Sequence, residues 1–257
     1  MGFNSVVLRG LLSLFPAAHP VEWISKSSSV FTHNHVCDRI MVRLSSLPHA
    51  QVLIRDWQEQ GGGSFFPSLP AVDYLRSALY VYAHHQPFHR APTSLNTLLL
   101  SRRQVRCITN LDAVSGVVKE ALSPSLALQT LSVDAYTTDE LLQVFAVTDI
   151  VVSVYGSEIL YALFMEPSSA VVEVYPPFWD WSHYKRFTVN VGLIHKAYKA
   201  KGERGPQCKK KPNSNDCLYR GTRDRNVTLD ASKMVVLLKE TTVDVFNQKY
   251  GRFWSFD

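Results

Sequence analysis

The sequence predicts a layered α/β fold around a parallel sheet, and three observations carry the prediction. Ile150 to Val154 and Val171 to Val174 are nearly unbroken β-branched runs, the pattern of strands buried on both faces. Between them Gly156 turns the chain, Ser157 can cap a helix whose apolar positions Ile159, Leu160, Leu163 and Phe164 share one side, and Pro167 fits its ending. Strand and helix patterns also alternate upstream, from Leu98 onward, which is the order that winds a parallel sheet.

In chain order, the segment to about Ser29 has no clear period. A helix is expected from Asp38 to Leu47 and a strand from Gln51 to Arg55, with a flexible loop at Gly61-Gly62-Gly63. Amphipathic spacing predicts a helix over Asp73 to Ala83, and HHQPFHRAPTS, His84 to Ser94, reads as a linker between two halves, 1–90 and 91–257. The second half opens with a strand at Leu98 to Leu100. A helix over Asp112 to Leu122 follows, with Val114, Val117, Val118 and Ala121 as its core face, and then a strand over Leu126 to Val133. Thr137-Thr138-Asp139-Glu140 has the form of a capping box, starting a helix that runs through Ala146 towards the strand at Ile150.

At 257 residues and 46% hydrophobic content the chain can bury a substantial core, which excludes a disordered protein and suits one large or two small domains. It holds no run of about 18 apolar residues, so no spanning helix is expected. VVLRGLLSLFPAAHP near the start makes a poor signal or anchor, so membrane attachment is expected only through a segment not evident here. The stretch from Lys201 to Arg225 carries eight basic and three acidic residues, which accounts for the whole net charge of +5. Interspersed with Gly, Pro, Asn and Ser, it reads as a solvated loop, and a nucleic-acid partner is not expected. Cys208 and Cys217 flank KKKPNSND inside it; they staple the loop in an oxidising compartment or stay as two free thiols, and spacing does not choose between these. No zinc-type cysteine spacing occurs, and Asn226-Val227-Thr228 is an N-glycosylation acceptor sequence, so loop, cysteine pair and sequon together lean towards the secretory pathway.

Ligands of parallel α/β sheets gather beyond the carboxyl ends of the strands, where Tyr155, Gly156, Ser157 and Glu173 are expected. Arg102, Arg103 and Arg106 follow the strand at Leu98 and offer planar donor forks suited to a diphosphate, or else solvate a strand-end loop. Asn110 either joins this rim or caps the next helix, and Glu173 either accepts from ribose hydroxyls or is a surface charge. His33, His35 and Asp38 lack the spacing that sets two ligands on one helical face.

These residues carry a resemblance. TDIVVSVYGSEILYALFMEPSSAVVEVYP, Thr148 to Pro176, resembles the signature of the family-61 glycosyltransferases, in which a TDI-apolar-HGAGL run precedes LF, a proline and a strand ending in Glu. RCITN, Arg106 to Asn110, is similar to that family's Arg-x-Ile-x-Asn element. HVCD, His35 to Asp38, is similar to the HFCD of the EGF-domain-specific O-linked N-acetylglucosamine transferases. Order and separations agree from about Phe31 to about Pro176.

The resemblance implies a GT-B architecture, two Rossmann-like halves facing a cleft, here with a shortened N-terminal half. It implies an inverting transferase that moves a sugar, N-acetylglucosamine among the candidates, from a UDP-sugar to a protein or glycan hydroxyl in the lumen of the Golgi or endoplasmic reticulum. The half 1–90 is then the acceptor side, with His35 and Asp38 catalytic. The half 91–257 holds the donor through Arg102, Arg106, Asn110, Tyr155, Gly156, Ser157 and Glu173. No tightly bound cofactor is implied and divalent-metal dependence stays open; in a site without a metal, basic residues and a helix N-terminus stabilise the departing diphosphate. Where the family has His-Gly-Ala-Gly, this chain has Tyr155-Gly156-Ser157-Glu158. A glutamate there favours the helix dipole but repels a diphosphate if it faces the site. Two functional readings follow: a transferase, or a non-catalytic relative that binds a nucleotide-sugar, a glycan or a partner. A different nucleotide-binding enzyme lacks a GxGxxG or a Walker-type lysine loop.

Overall fold

The computed structural model describes residues 93–102, 104–181 and 183–251, together with residues 72, 73, 76, 77 and 80 of a preceding helix. The helix expected at 38–47, the strand at 51–55 and the residues His35 and Asp38 lie outside the described residues.

Five parallel strands form one sheet: β1 Leu95–Ser101, β2 Leu126–Ser132, β3 Ile150–Val154, β4 Ala170–Tyr175 and β5 Ile194–Lys199, in the order β2-β1-β3-β4-β5. The chain steps outward from β1 to β2, crosses back over β1 to β3, and then advances the other way. The winding therefore reverses between β1 and β3, a topological switch point. Registers such as Leu98↔Val151 and Ser153↔Glu173 bring the carboxyl ends of β1, β3 and β4 to one rim.

The connecting helices are α1 Leu111–Leu122, α2 Thr138–Ala146, a 3₁₀ helix Ser157–Phe164, α3 His183–Asn190, α4 Pro206–Lys210, α5 Asn215–Leu218 and α6 Ala231–Tyr250. Alternate strand residues point to opposite faces, so each central strand feeds two cores. Leu95, Leu99, Ile150, Val152 and Val172 pack with Val114 and Val118 of α1 and with Met234, Leu238 and Phe246 of α6. Leu98, Leu100, Val151 and Val171 pack on the other face with Phe145 of α2, with Ile159, Leu163 and Phe164, and with Phe187 of α3. Fully burying each such side chain is worth about 1.5–3 kcal/mol. Every residue of β3 and β4 is buried, whereas the edge strands β2 and β5 are partly exposed. That difference is why the central pair reads so clearly in sequence.

The capping box at Thr137 forms in full, with the Glu140 amide donating to Thr137 Oγ1 and the Thr137 amide donating to Glu140 Oε2 at 2.7 Å. Four expectations need correction. The strand expected at Leu98 begins at Leu95, because Asn96 and Thr97 mask it in sequence although Thr97 is buried. The core face of α1 is Val114, Ser115, Val118 and Leu122, while Val117 and Ala121 are exposed; the helix rests on the sheet one position round from the apolar count. The helix expected after Gly156 is a 3₁₀ helix without a Ser157 cap, held by burial of Ile159, Ala162, Leu163 and Phe164 between neighbouring helices. The stretch from Lys201 to Arg225 is not one solvated loop but α4, α5 and a π turn Tyr219–Arg223, stapled by the Cys208–Cys217 disulfide, whose cysteines are both buried.

The described part of the helix expected over Asp73 to Ala83 packs on this sheet layer. Val72 joins the core, Arg76 donates to the carbonyls of Leu163 (Nε, 3.2 Å) and Val191 (Nη2, 2.8 Å), and the Tyr80 hydroxyl donates to that of Phe164 at 2.9 Å.

Candidate functional site

The carboxyl rim at the switch point gathers most of the residues singled out from sequence. Arg102 follows the last residue of β1, and Tyr155, Gly156 and Ser157 follow β3. Arg106 reaches across the crevice, its Nη1 donating to the Tyr155 carbonyl at 3.0 Å. The Arg106 Nε is buried and makes no hydrogen bond among the described residues, with Asp224 Oδ1 at 3.8 Å. Burial, and then the neighbouring Arg102 cation, lower the pKa of Arg106. Arg223 forks onto Asp224, with Nε to Oδ1 at 2.8 Å and Nη2 to Oδ2 at 3.1 Å, and that hydrogen bonding raises its pKa.

The acid that sequence placed uneasily in the turn is not left facing a ligand. Glu158 is buried and grips Arg102, which donates from Nε to Oε1 at 2.8 Å and from Nη2 to Oε2. A Cβ on residue 156 would fall onto this carboxylate, so Glu158 can keep its place on Arg102 only with glycine there and would otherwise have to shift. Its φ of 176° is ordinary extended backbone. Ser157 is exposed.

Glu173 is fully buried on the face that carries α3, in register with Ser153. Its Oε2 accepts from the Tyr175 hydroxyl at 2.7 Å and lies 2.8 Å from His195 Nε2, while Oε1 has no hydrogen-bond partner among the described residues. An aromatic cage of Tyr155, Tyr175, Trp179 and Tyr184 stands beside it; the Tyr155 ring meets Trp179 at 5.2 Å and Tyr184 at 4.9 Å, both edge-on. Burial, and then the Glu173 charge, raise the Tyr155 pKa, and burial together with Tyr155 pushes Tyr184 up to about 12. These phenols are therefore hydrogen-bonding groups rather than bases near neutrality.

Asn110 stands apart from this cluster. It occupies the N-cap position of α1 without a side-chain cap bond, and its amide cross-links instead to the Leu229 backbone, Nδ2 to the carbonyl at 2.8 Å and Oδ1 from the amide at 3.0 Å. Sequence reasoning missed His195, Tyr175, Trp179, Tyr184, Arg223 and Asp224. The one signal for His195 was its alternate place in IHKAYK, facing the same side as Ala197. Among the described residues no group of three His, Cys, Asp or Glu is placed to hold a metal.

A five-stranded parallel sheet covered by helices, with its winding reversed between β1 and β3, is an α/β domain consistent with one Rossmann-like half. The sequence model described as Glycosyltransferase 61 matches residues 30–172, more than half of the chain, and the protein belongs to that family. Its family is one of glycosyl transfer. No curated protein matches the chain.

Proposed function

We propose that this chain transfers a sugar, with inversion, from a UDP-sugar to a protein or glycan hydroxyl in the lumen of the secretory pathway. The observation that carries the reading is the convergence of Arg102 and Arg106 from β1 with the Tyr155–Glu158 turn from β3, across the crevice where the winding reverses. In this reading the guanidiniums and the start of the 3₁₀ helix meet the diphosphate and offset its charge as the sugar departs. Glu173, whose Oε1 has no hydrogen-bond partner among the described residues, is assigned to the ribose hydroxyls. His35 and Asp38 serve the acceptor side, one of them taking the hydroxyl proton. N-acetylglucosamine is the favoured sugar, by the likeness of HVCD to HFCD. The disulfide and the exposed Asn226 support the lumenal assignment.

A second reading, a relative that binds a nucleotide-sugar or partner without turnover, is favoured by one observation: Glu158 already occupies the fork of Arg102. Calorimetric titration of UDP and a panel of UDP-sugars, followed by a transfer assay onto protein and glycan acceptors, separates the two. Saturable UDP binding with transfer of one sugar is the expected result. Binding without transfer selects the second reading, and no UDP binding by the folded protein overturns the first reading and leaves the second only as a partner-binding relative.

A further inference from the structure

Arg102 leaves the carboxyl end of β1 and Glu158 follows that of β3, so their ion pair bridges the crevice in which a doubly wound sheet receives its ligand. The two-pronged contact is the one a guanidinium gives to a carboxylate or to a phosphate alike. Ser153 Oγ lies 3.4 Å from the same Oε1. The Glu158 side chain is 4% exposed and lies in the space that the missing Cβ of Gly156 leaves free. Arg102 is 20% exposed and borders an open depression of about 380 Å³, whose other lining residues are Gln104, Val105 and Asp134. This depression lies between the loops after β1 and β2, beside the crevice, so Arg102 can be reached from solvent while Glu158 is buried behind it. Three guanidiniums, those of Arg102, Arg106 and Arg223, share this rim with the carboxylates of Glu158 and Asp224, and Asp134 borders the depression as well, so Glu158 is the acid that directly forks onto Arg102 among several at this rim.

We propose that Glu158 is a built-in anion: its carboxylate stands on Arg102 in place of a ligand phosphate, and a nucleoside diphosphate reaches that guanidinium only by displacing it. Glu158 thereby determines how strongly the crevice binds anions. The anion site follows from the ion pair itself, while the nucleoside part of the ligand rests on the donor-site reading above.

The test compares wild type, Glu158→Gln and Glu158→Gly in calorimetric titrations with inorganic pyrophosphate and with UDP, and in thermal melts with and without millimolar pyrophosphate. Each variant is expected to bind pyrophosphate about tenfold or more tightly than wild type, as one charge-assisted fork is released. Each is expected to melt below wild type without the anion and to recover with it, and Arg102→Ala added to Glu158→Gln abolishes the gain. Folded variants with wild-type affinity for pyrophosphate overturn the proposal. Failure of both variants to fold even with pyrophosphate present also overturns it, because the added anion should replace the missing carboxylate. A gain for pyrophosphate with no binding of UDP keeps the built-in anion and overturns the nucleotide reading; UDP binding that is equal in all three proteins does the reverse.

Discussion

The guanidinium of Arg106 donates to the main-chain carbonyl of Tyr155 at 3.0 Å and so ties the loop after β1 to the turn after β3. Arg106 itself sits at φ 60°, a left-handed conformation that bulky side chains rarely take, which the surrounding contacts must hold in place. A rim arginine free of the fold would affect ligand binding alone; this one shapes the crevice as well.

Arg106→Ala is therefore expected to weaken UDP binding by about 1.5–3 kcal/mol, roughly ten- to a hundredfold, and to lower stability by about 1–2 kcal/mol as the buried carbonyl loses its donor. Titration of UDP and urea denaturation of both proteins measure the two effects separately. Unchanged affinity beside lowered stability would make Arg106 a structural tie only.

At the opposite, amino end of the sheet, Lys249 of α6 meets Asp149 at 2.6 Å and Glu166 at 2.9 Å, and the Tyr250 hydroxyl donates to the same Asp149 oxygen at 3.0 Å. Lys249→Met leaves two little-exposed carboxylates without their cation and is expected to cost about 3–5 kcal/mol. Burial lowers the Lys249 pKa, but Asp149 and Glu166 together outweigh it and the net shift is upward; burial and Asp149 push Tyr250 up to about 12. The folded protein keeps protons that the unfolded chain releases above about pH 10, so this stability is whole below that pH and is lost as pH rises through the folded values. Urea midpoints falling between about pH 10 and pH 12 are the expected result, and a flat profile there would contradict it.

The Cys208–Cys217 bridge closes a short loop, and an added Cβ on Gly221 would strike the Cys208 sulfur, so the staple and the π turn are packed as one piece. Cys208→Ser with Cys217→Ser is expected to cost about 2–3 kcal/mol. Beside it, Asn226 is exposed, with its Oδ1 accepting from the Cys107 amide at 3.0 Å. Peptide mapping without reduction, on protein from a secretory host, should return the linked cysteine peptides and a glycan on Asn226; an unmodified Asn226 in secreted material would count against the lumenal assignment.

The sequence alone determined the winding of the central strands. β3 and β4 are buried on both faces, so their composition is nearly all β-branched, and the Thr137 box is a purely local arrangement of four residues. It also carried the family, because the turn after β3 and the Arg-x-Ile-x-Asn element are short contiguous motifs. Only the tertiary structure decided what those residues do to one another. Arg102 and Glu158 are 56 positions apart, and Glu173 and His195 are 22 apart, so their pairing depends on strand order and register and leaves no trace in either segment. A carboxylate read in isolation repels a diphosphate. The same carboxylate, buried against an arginine from the neighbouring strand, is a neutralised anion whose charge the fold has already matched.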